Sequence, residues 1–115
     1  MPKADRVRLR HMLEAGREAL SFAQGYTRQD LDRNRMLTLA LVRCIEIVGE
    51  AAARVTQDTR ARYASIPWTD IVGARNWLIH AYFDINLDRL WDTITDDLPK
   101  LIVELEKIPL EDANC

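Results

Sequence analysis

Apolar positions recur every three or four residues along most of the chain, the pattern of helices that each bury one stripe. Over residues 4–24 the stripe is Leu9, Leu13, Gly16, Leu20 and Ala23, with Arg6, Arg10, Arg17 and Glu18 mainly on the opposite side. Gly25-Tyr26 is the expected stop, because glycine most readily takes the left-handed backbone that ends a helix. His11, beside Arg10 and Glu14 and off the stripe, reads as a surface residue. Residues 27–34 are charged and open with a capping candidate, Thr27-Arg28-Gln29-Asp30, which predicts a short helical turn.

Residues 35–55 are apolar on more than one face. Leu37, Leu41, Cys44, Val48 and Ala52 make one stripe, and Leu39, Val42 and Ile45 widen it, so this helix is expected to be covered on several sides. Through it runs a polar line, Arg43, Glu46 and Glu50, at spacings of three and four. Two accounts fit such a line: ion pairing along the helix, or a face turned to a cleft or a second subunit. Residues 56–64 read as a polar connector with about one turn of helix. Ser65-Ile66-Pro67-Trp68 restarts the chain, since proline loses nothing in a helix's first turn. Trp68, Ile71, Val72, Leu78 and Ile79 then pack a helix that ends near His80.

Asn86 is a cap for the last helix, residues 87–108, whose stripe of Leu87, Leu90, Trp91, Ile94, Leu98, Leu101, Ile102, Leu105 and Ile108 is the cleanest in the chain. Pro99 interrupts it and predicts a kink or a second helical piece. Residues 111–115 read as a frayed tail. No strand alternation, glycine-rich phosphate loop or repeat is present. The expected architecture is all-α: one domain over residues 1–115, a bundle of four to five helices with short connections.

Composition narrows this further. With 48% hydrophobic and 30% charged residues the 115-residue chain is of globular type. No apolar run approaches the roughly 20 residues a bilayer span needs, and the basic N-terminus leads into no signal-peptide core. The expected location is cytoplasmic, away from membranes. A net charge of −2 argues against a broad grip on nucleic acid, so DNA is not an expected partner, and an RNA substrate would need locally concentrated cation. Cys44 reads as core filling and Cys115 is the last residue. With His11 and His80 far apart there is no metal-ligand signature and no cofactor is implied.

The chemistry concentrates in Arg75-Asn76-Trp77-Leu78-Ile79-His80-Ala81-Tyr82. Asn76 and His80, four apart, share a helix face. Arg75 lies about 140° round the axis from His80, within reach of the same rim for a long side chain. Tyr82 joins them only if the helix loosens near Ala81, where Asp84 and Asn86 favour a loop. An imidazole with an ordinary pKa of about 6.5 moves protons near neutrality, and a guanidinium holds phosphate oxygens without ever deprotonating. Capping and solvation of a helix end use the same residue types.

The ordered set goes beyond that. Arg75-x4-His80-x-Tyr82 resembles the signature of the HepT-like ribonuclease toxins, a branch of the HEPN superfamily. Cys44-Ile-Glu-Ile-Val-Gly-Glu-Ala-Ala52, Ile66-Pro-Trp68, Tyr82-Phe-Asp-Ile-Asn86, Leu90-Trp91 and Asp97-Leu-Pro99 resemble that family's other blocks in the same order. Ala74 stands where methionine is more usual. The resemblance implies an all-helical homodimer that cuts RNA without a metal, its two signature helices meeting across a cleft. It implies Arg75, His80 and the intervening Asn76 as catalytic residues. It also implies a minimal nucleotidyltransferase antitoxin that uses ATP to attach AMP to Tyr82. On this picture Arg43, Glu46 and Glu50 are candidate cleft-lining residues. The competing expectation is a non-catalytic helical dimer that holds a nucleotide or a protein partner.

Overall fold

A computed structural model describes residues 1–80 and 85–110, apart from the side chains of Arg75, Ile79 and His80. The expectations for Tyr82 and for the tail at 111–115 lie outside the described residues. In chain order the helices are α1 (Lys3–Ala23), α2 (Asp30–Arg33), α3 (Arg35–Ala53), α4 (Gln57–Arg62), α5 (Trp68–His80), α6 (Leu87–Asp92), a π-helical turn (Thr93–Asp97) and α7 (Leu98–Glu106). Among the described residues there is no strand, and no helix is long and apolar enough to cross a membrane. The all-α expectation holds, with four long helical runs and two short helices between them.

Helix α1 stops where expected. Gly25 takes φ +83°, the left-handed conformation that a side chain resists, and the Tyr26 amide closes back on the Ala23 carbonyl at 3.0 Å. The turn that follows is fixed by Asp30, whose carboxylate accepts from the Thr27 amide at 2.7 Å and from the Thr27 hydroxyl at 3.2 Å. Asn34 caps α3, its side chain accepting from the Leu37 amide at 3.0 Å.

Helix α3 is the centre of the bundle, with α1 along one side and α5 along another, while α7 lies against α1. This explains its apolar breadth: Leu41, Val42, Cys44, Ile45, Val48, Ala51 and Ala52 are all buried. Leu39, read as part of the buried width, is instead 47% exposed, and Met36 one turn earlier is 83% exposed. The Cys44 thiol donates to Glu18 of α1 at 3.7 Å. Burial, reinforced by that carboxylate, pushes the thiol pKa up to about 11. The thiol is core filling, as expected.

One buried carboxylate was not anticipated. Asp5, in the first turn of α1, is 1% exposed. It accepts from the Thr56 amide at 3.1 Å and from the Thr56 and Thr59 hydroxyls at 2.5 Å each. Burial alone would raise its pKa, but the donated hydrogen bonds outweigh burial and hold it below the ordinary carboxylate value. The start of α1 is thereby tied to the start of α4.

The last helical run is interrupted, as Pro99 predicts, but the interruption precedes the proline. A proline ring would clash with the carbonyl four residues back in a regular helix. Here the backbone widens into the π-helical turn at Thr93–Asp97, and Pro99 falls in the first turn of α7. Hydroxyls of Thr93 and Thr95 donate to the Arg89 and Trp91 carbonyls at 2.8 and 2.9 Å, supporting the altered turn.

Candidate active site

Helix α5 carries Arg75, Asn76 and His80, and its beginning is firmly held. Ile66 is buried, and the Trp68 indole donates to the Tyr63 carbonyl at 3.2 Å. Arg60 donates to the Ala52 and Val55 carbonyls at 2.9 and 3.1 Å, satisfying the open end of α3. The same guanidinium lies 5.8 Å from the centre of the Trp68 ring. One cation thus joins the end of α3, the body of α4 and the start of α5.

Helix α5 rests on α3, and its Leu78 is buried. Its other side does not close on the last helical run. A groove of about 1010 Å³ opens there, floored by apolar side chains that include Ile45, Ile71, Ala74 and Leu101. The charged residues lining it are Asp70, Asp92, Asp97 and Glu104 against Arg89 and Lys100, a net negative rim. At one end Trp77 faces Arg89, whose guanidinium carbon lies 4.4 Å from the ring centre.

Asn76 lies exposed on α5, one turn before His80 in the same helix. Arg75 and His80 are both within α5, their side chains outside the described residues, and Tyr82 lies outside them altogether. Arg43, Glu46 and Glu50 form ion pairs along α3, Arg43 reaching Glu46 at 3.6 Å and Glu50 at 3.7 Å. None of these three lines the groove. Among the described residues no group of His, Cys, Asp and Glu could hold a metal ion.

Sequence reasoning did not single out the groove or Arg89. Trp77 and Arg89 stand twelve apart on different helices, and no spacing rule links two positions separated by a connection. An arginine two places into a capped helix reads simply as a solvated residue.

The comparisons with known proteins are consistent along the chain. The family model described as "Ribonuclease HepT-like" matches residues 12–108. A Methanocaldococcus jannaschii protein named as a candidate RNase is 35% identical over 95 residues, covering 83% of this chain and 87% of its own. A candidate RNase of Caldanaerobacter subterraneus is 33% identical over 106 residues, covering 92% of this chain and 95% of its own. A Thermococcus cleftensis protein named "Probable ribonuclease HepT" is 33% identical over 100 residues, covering 84% of this chain and 91% of its own. No solved structure matches. With the blocks in order on one helical bundle and a family match over most of its length, this chain belongs to the HepT-like ribonuclease family.

Proposed function

We propose that the chain is a metal-independent endoribonuclease and the toxin of a toxin–antitoxin pair, acting as a single-domain homodimer in the cytoplasm and needing no cofactor. The observation that carries this is the order Arg75-Asn76-x3-His80 in the last turns of α5, in a chain that the ribonuclease family matches over residues 12–108. Cleavage needs a proton taken from the ribose 2′-hydroxyl, another delivered to the leaving 5′-oxygen, and cover for charge on the phosphorane. His80 is assigned proton transfer, Arg75 the phosphate oxygens and Asn76 a neutral hydrogen bond beside them. Each chain supplies one such histidine, and a symmetric dimer supplies two.

Two features support the dimer. Ile71, Val72 and Ala74 of α5 are only half-buried within one chain, and Met36 and Leu39 leave apolar surface on α3. In a dimer Arg43, Glu46 and Glu50 are assigned to the lining of the cleft. AMP attached to Tyr82 by a minimal nucleotidyltransferase would bring a negative phosphate and a purine beside Arg75 and His80, which accounts for silencing.

The deciding experiment is incubation of purified protein with RNA in EDTA, beside His80→Ala. Cleavage by the wild type alone is expected. Equal cleavage by both, or none by the wild type, rejects the assignment and favours a non-catalytic module. Light scattering at micromolar concentration should report a dimer. Mass spectrometry after co-expression with the nucleotidyltransferase should show added AMP, absent in Tyr82→Phe.

A further inference from the structure

Trp77 and Arg89 have no part in the chemistry above, yet Trp77 shares α5 with it. Trp77 sits between Asn76 and His80 in sequence, one turn before His80, and its half-buried ring lines the groove. Arg89 reaches it from the first turns of α6, on the far side of the connection that contains Tyr82. A guanidinium 4.4 Å from the ring centre is in close stacking range.

The state of Arg89 is informative. Carboxylates surround it in sequence, but Asp88 is taken by Arg28 at 2.6 Å. Among the described residues Arg89 makes no ion pair, and it is exposed. A flat, weakly hydrated cation is therefore displayed on an indole with its hydrogen-bond donors unspent on the anions of the described residues. A purely structural strut would be expected to use a nearby carboxylate as well. A chain with net charge −2 also needs local cation wherever RNA is gripped. Proteins read single-stranded RNA by stacking unpaired bases on aromatic rings and on arginine planes, with the phosphates held by the same cations.

We infer that Trp77 and Arg89 form a stacking platform for one nucleobase of the RNA, next to the phosphate that is cut. The inference takes its ligand from the ribonuclease reading and adds the residues that would select an unpaired nucleotide at that position. Trp77 supplies the ring, and Arg89 supplies a second plane and a contact to the adjoining phosphate.

The test uses oligoribonucleotides in which one ribose near the mapped cut lacks its base. In wild-type protein one such position should raise KM by about 5- to 150-fold, the range that loss of one stacked base gives elsewhere. Trp77→Leu keeps the apolar volume and removes the ring. It should raise KM by a similar factor on intact RNA and add nothing on the abasic strand, whereas Trp77→Phe retains most of the effect. Arg89→Gln should weaken intact RNA more than the abasic strand. If Trp77→Leu slows both substrates by the same factor, the pair is a strut and the inference is wrong. Protein expressed without the nucleotidyltransferase carries no adenylate, so base dependence seen there belongs to RNA and not to AMP on Tyr82. Binding of the same oligonucleotides to His80→Ala, read by fluorescence anisotropy, separates the two claims. Base-dependent binding with no wild-type cleavage overturns the ribonuclease reading alone, and base-independent binding, or none, overturns the platform.

Discussion

Replacing Asp5 tests whether a buried charge organises the approach to the signature helix. Its carboxylate is 1% exposed and accepts three hydrogen bonds, all from the Thr56–Thr59 turn that opens α4. A hydrogen bond to a charged group is worth roughly 1.5–3 kcal/mol net, and three that share one acceptor do not add in full. Asp5→Ala also returns the cost of burying the ion, but leaves the Thr59 hydroxyl, 3% exposed, without its acceptor. The expected loss is about 2–4 kcal/mol, a large part of the ~5–15 kcal/mol that stabilises a domain. At about 4 °C per kcal/mol for a chain of this size, the melting temperature should fall by about 8–16 °C.

The pH dependence has a definite sign. Because the folded-state pKa of Asp5 lies below the ordinary value, its contribution is complete above the unfolded pKa of about 3.9 and is lost as pH falls through the lower folded value. Thermal melts followed by circular dichroism should therefore show a gap between wild type and Asp5→Asn that is constant from pH 7 to about pH 5 and narrows below about pH 4. In a double-mutant cycle Asp5→Ala and Thr59→Val should couple by about 1 kcal/mol or more. A melting temperature for Asp5→Ala within 3 °C of wild type (below the roughly 8 °C expected), or a gap that widens on acidification, would refute the assignment.

Gly16→Val is expected to destabilise by about 1–3 kcal/mol in denaturant titration, because even a Cβ there would sit 3.3 Å from Leu98 and 3.4 Å from Ile102. Gly25→Ala meets nothing within 4 Å, so its cost is that of the left-handed backbone alone, about 1 kcal/mol by the same titration. In a Cys115→Ser background Cys44 should react with a thiol reagent at pH 8 only as fast as the protein unfolds, since the side chain is 1% exposed and its pKa of about 11 leaves about one thiolate per thousand. Asn76→Ala should leave the melting temperature unchanged, the side chain being exposed, while reducing RNA cleavage about a hundred- to a thousandfold. A variant that lost stability and activity together would remove Asn76 from the proposed chemistry.

What could be read in the sequence was what repeats or punctuates. The stripes of α1, α3 and the last helix, the stop at Gly25, the cap at Asn86 and the interruption at Pro99 all depend on neighbours within a turn or two. The breadth of α3 was legible too, but not its cause. Apolar positions on several faces fit a helix central to its own chain as well as one that meets a partner, and Val42 and Ile45 turn out to be covered from within. Asp5 was not legible because its partners lie more than fifty residues away. Nothing local distinguishes a buried first-turn aspartate from a solvated one. Arg75, Asn76 and His80 could be placed on one helix in order, which a period of 3.6 allows. Spacing could not show that this helix is held at its start and left uncovered along one side.

That one-sided support bears on how RNA would reach the proposed site. Along the groove Asp70, Asp92, Asp97 and Glu104 outnumber Arg89 and Lys100, so a phosphate backbone laid down its length would face net repulsion. Asp70 is seven residues before Trp77, about 10 Å along the helix at 1.5 Å per residue, which is roughly a Debye length at physiological salt. Repulsion from that end is largely screened at the Trp77 turn, where Arg89 contributes opposite charge at contact distance from the ring. Among the described residues the charges therefore disfavour a strand threaded through the groove and leave Arg89 as the cation at the Trp77 turn. The groove's apolar floor and acidic rim suit a protein surface better than RNA. The acidic, apolar flank and the Trp77–Arg89 turn thus present opposite electrostatics along one helix.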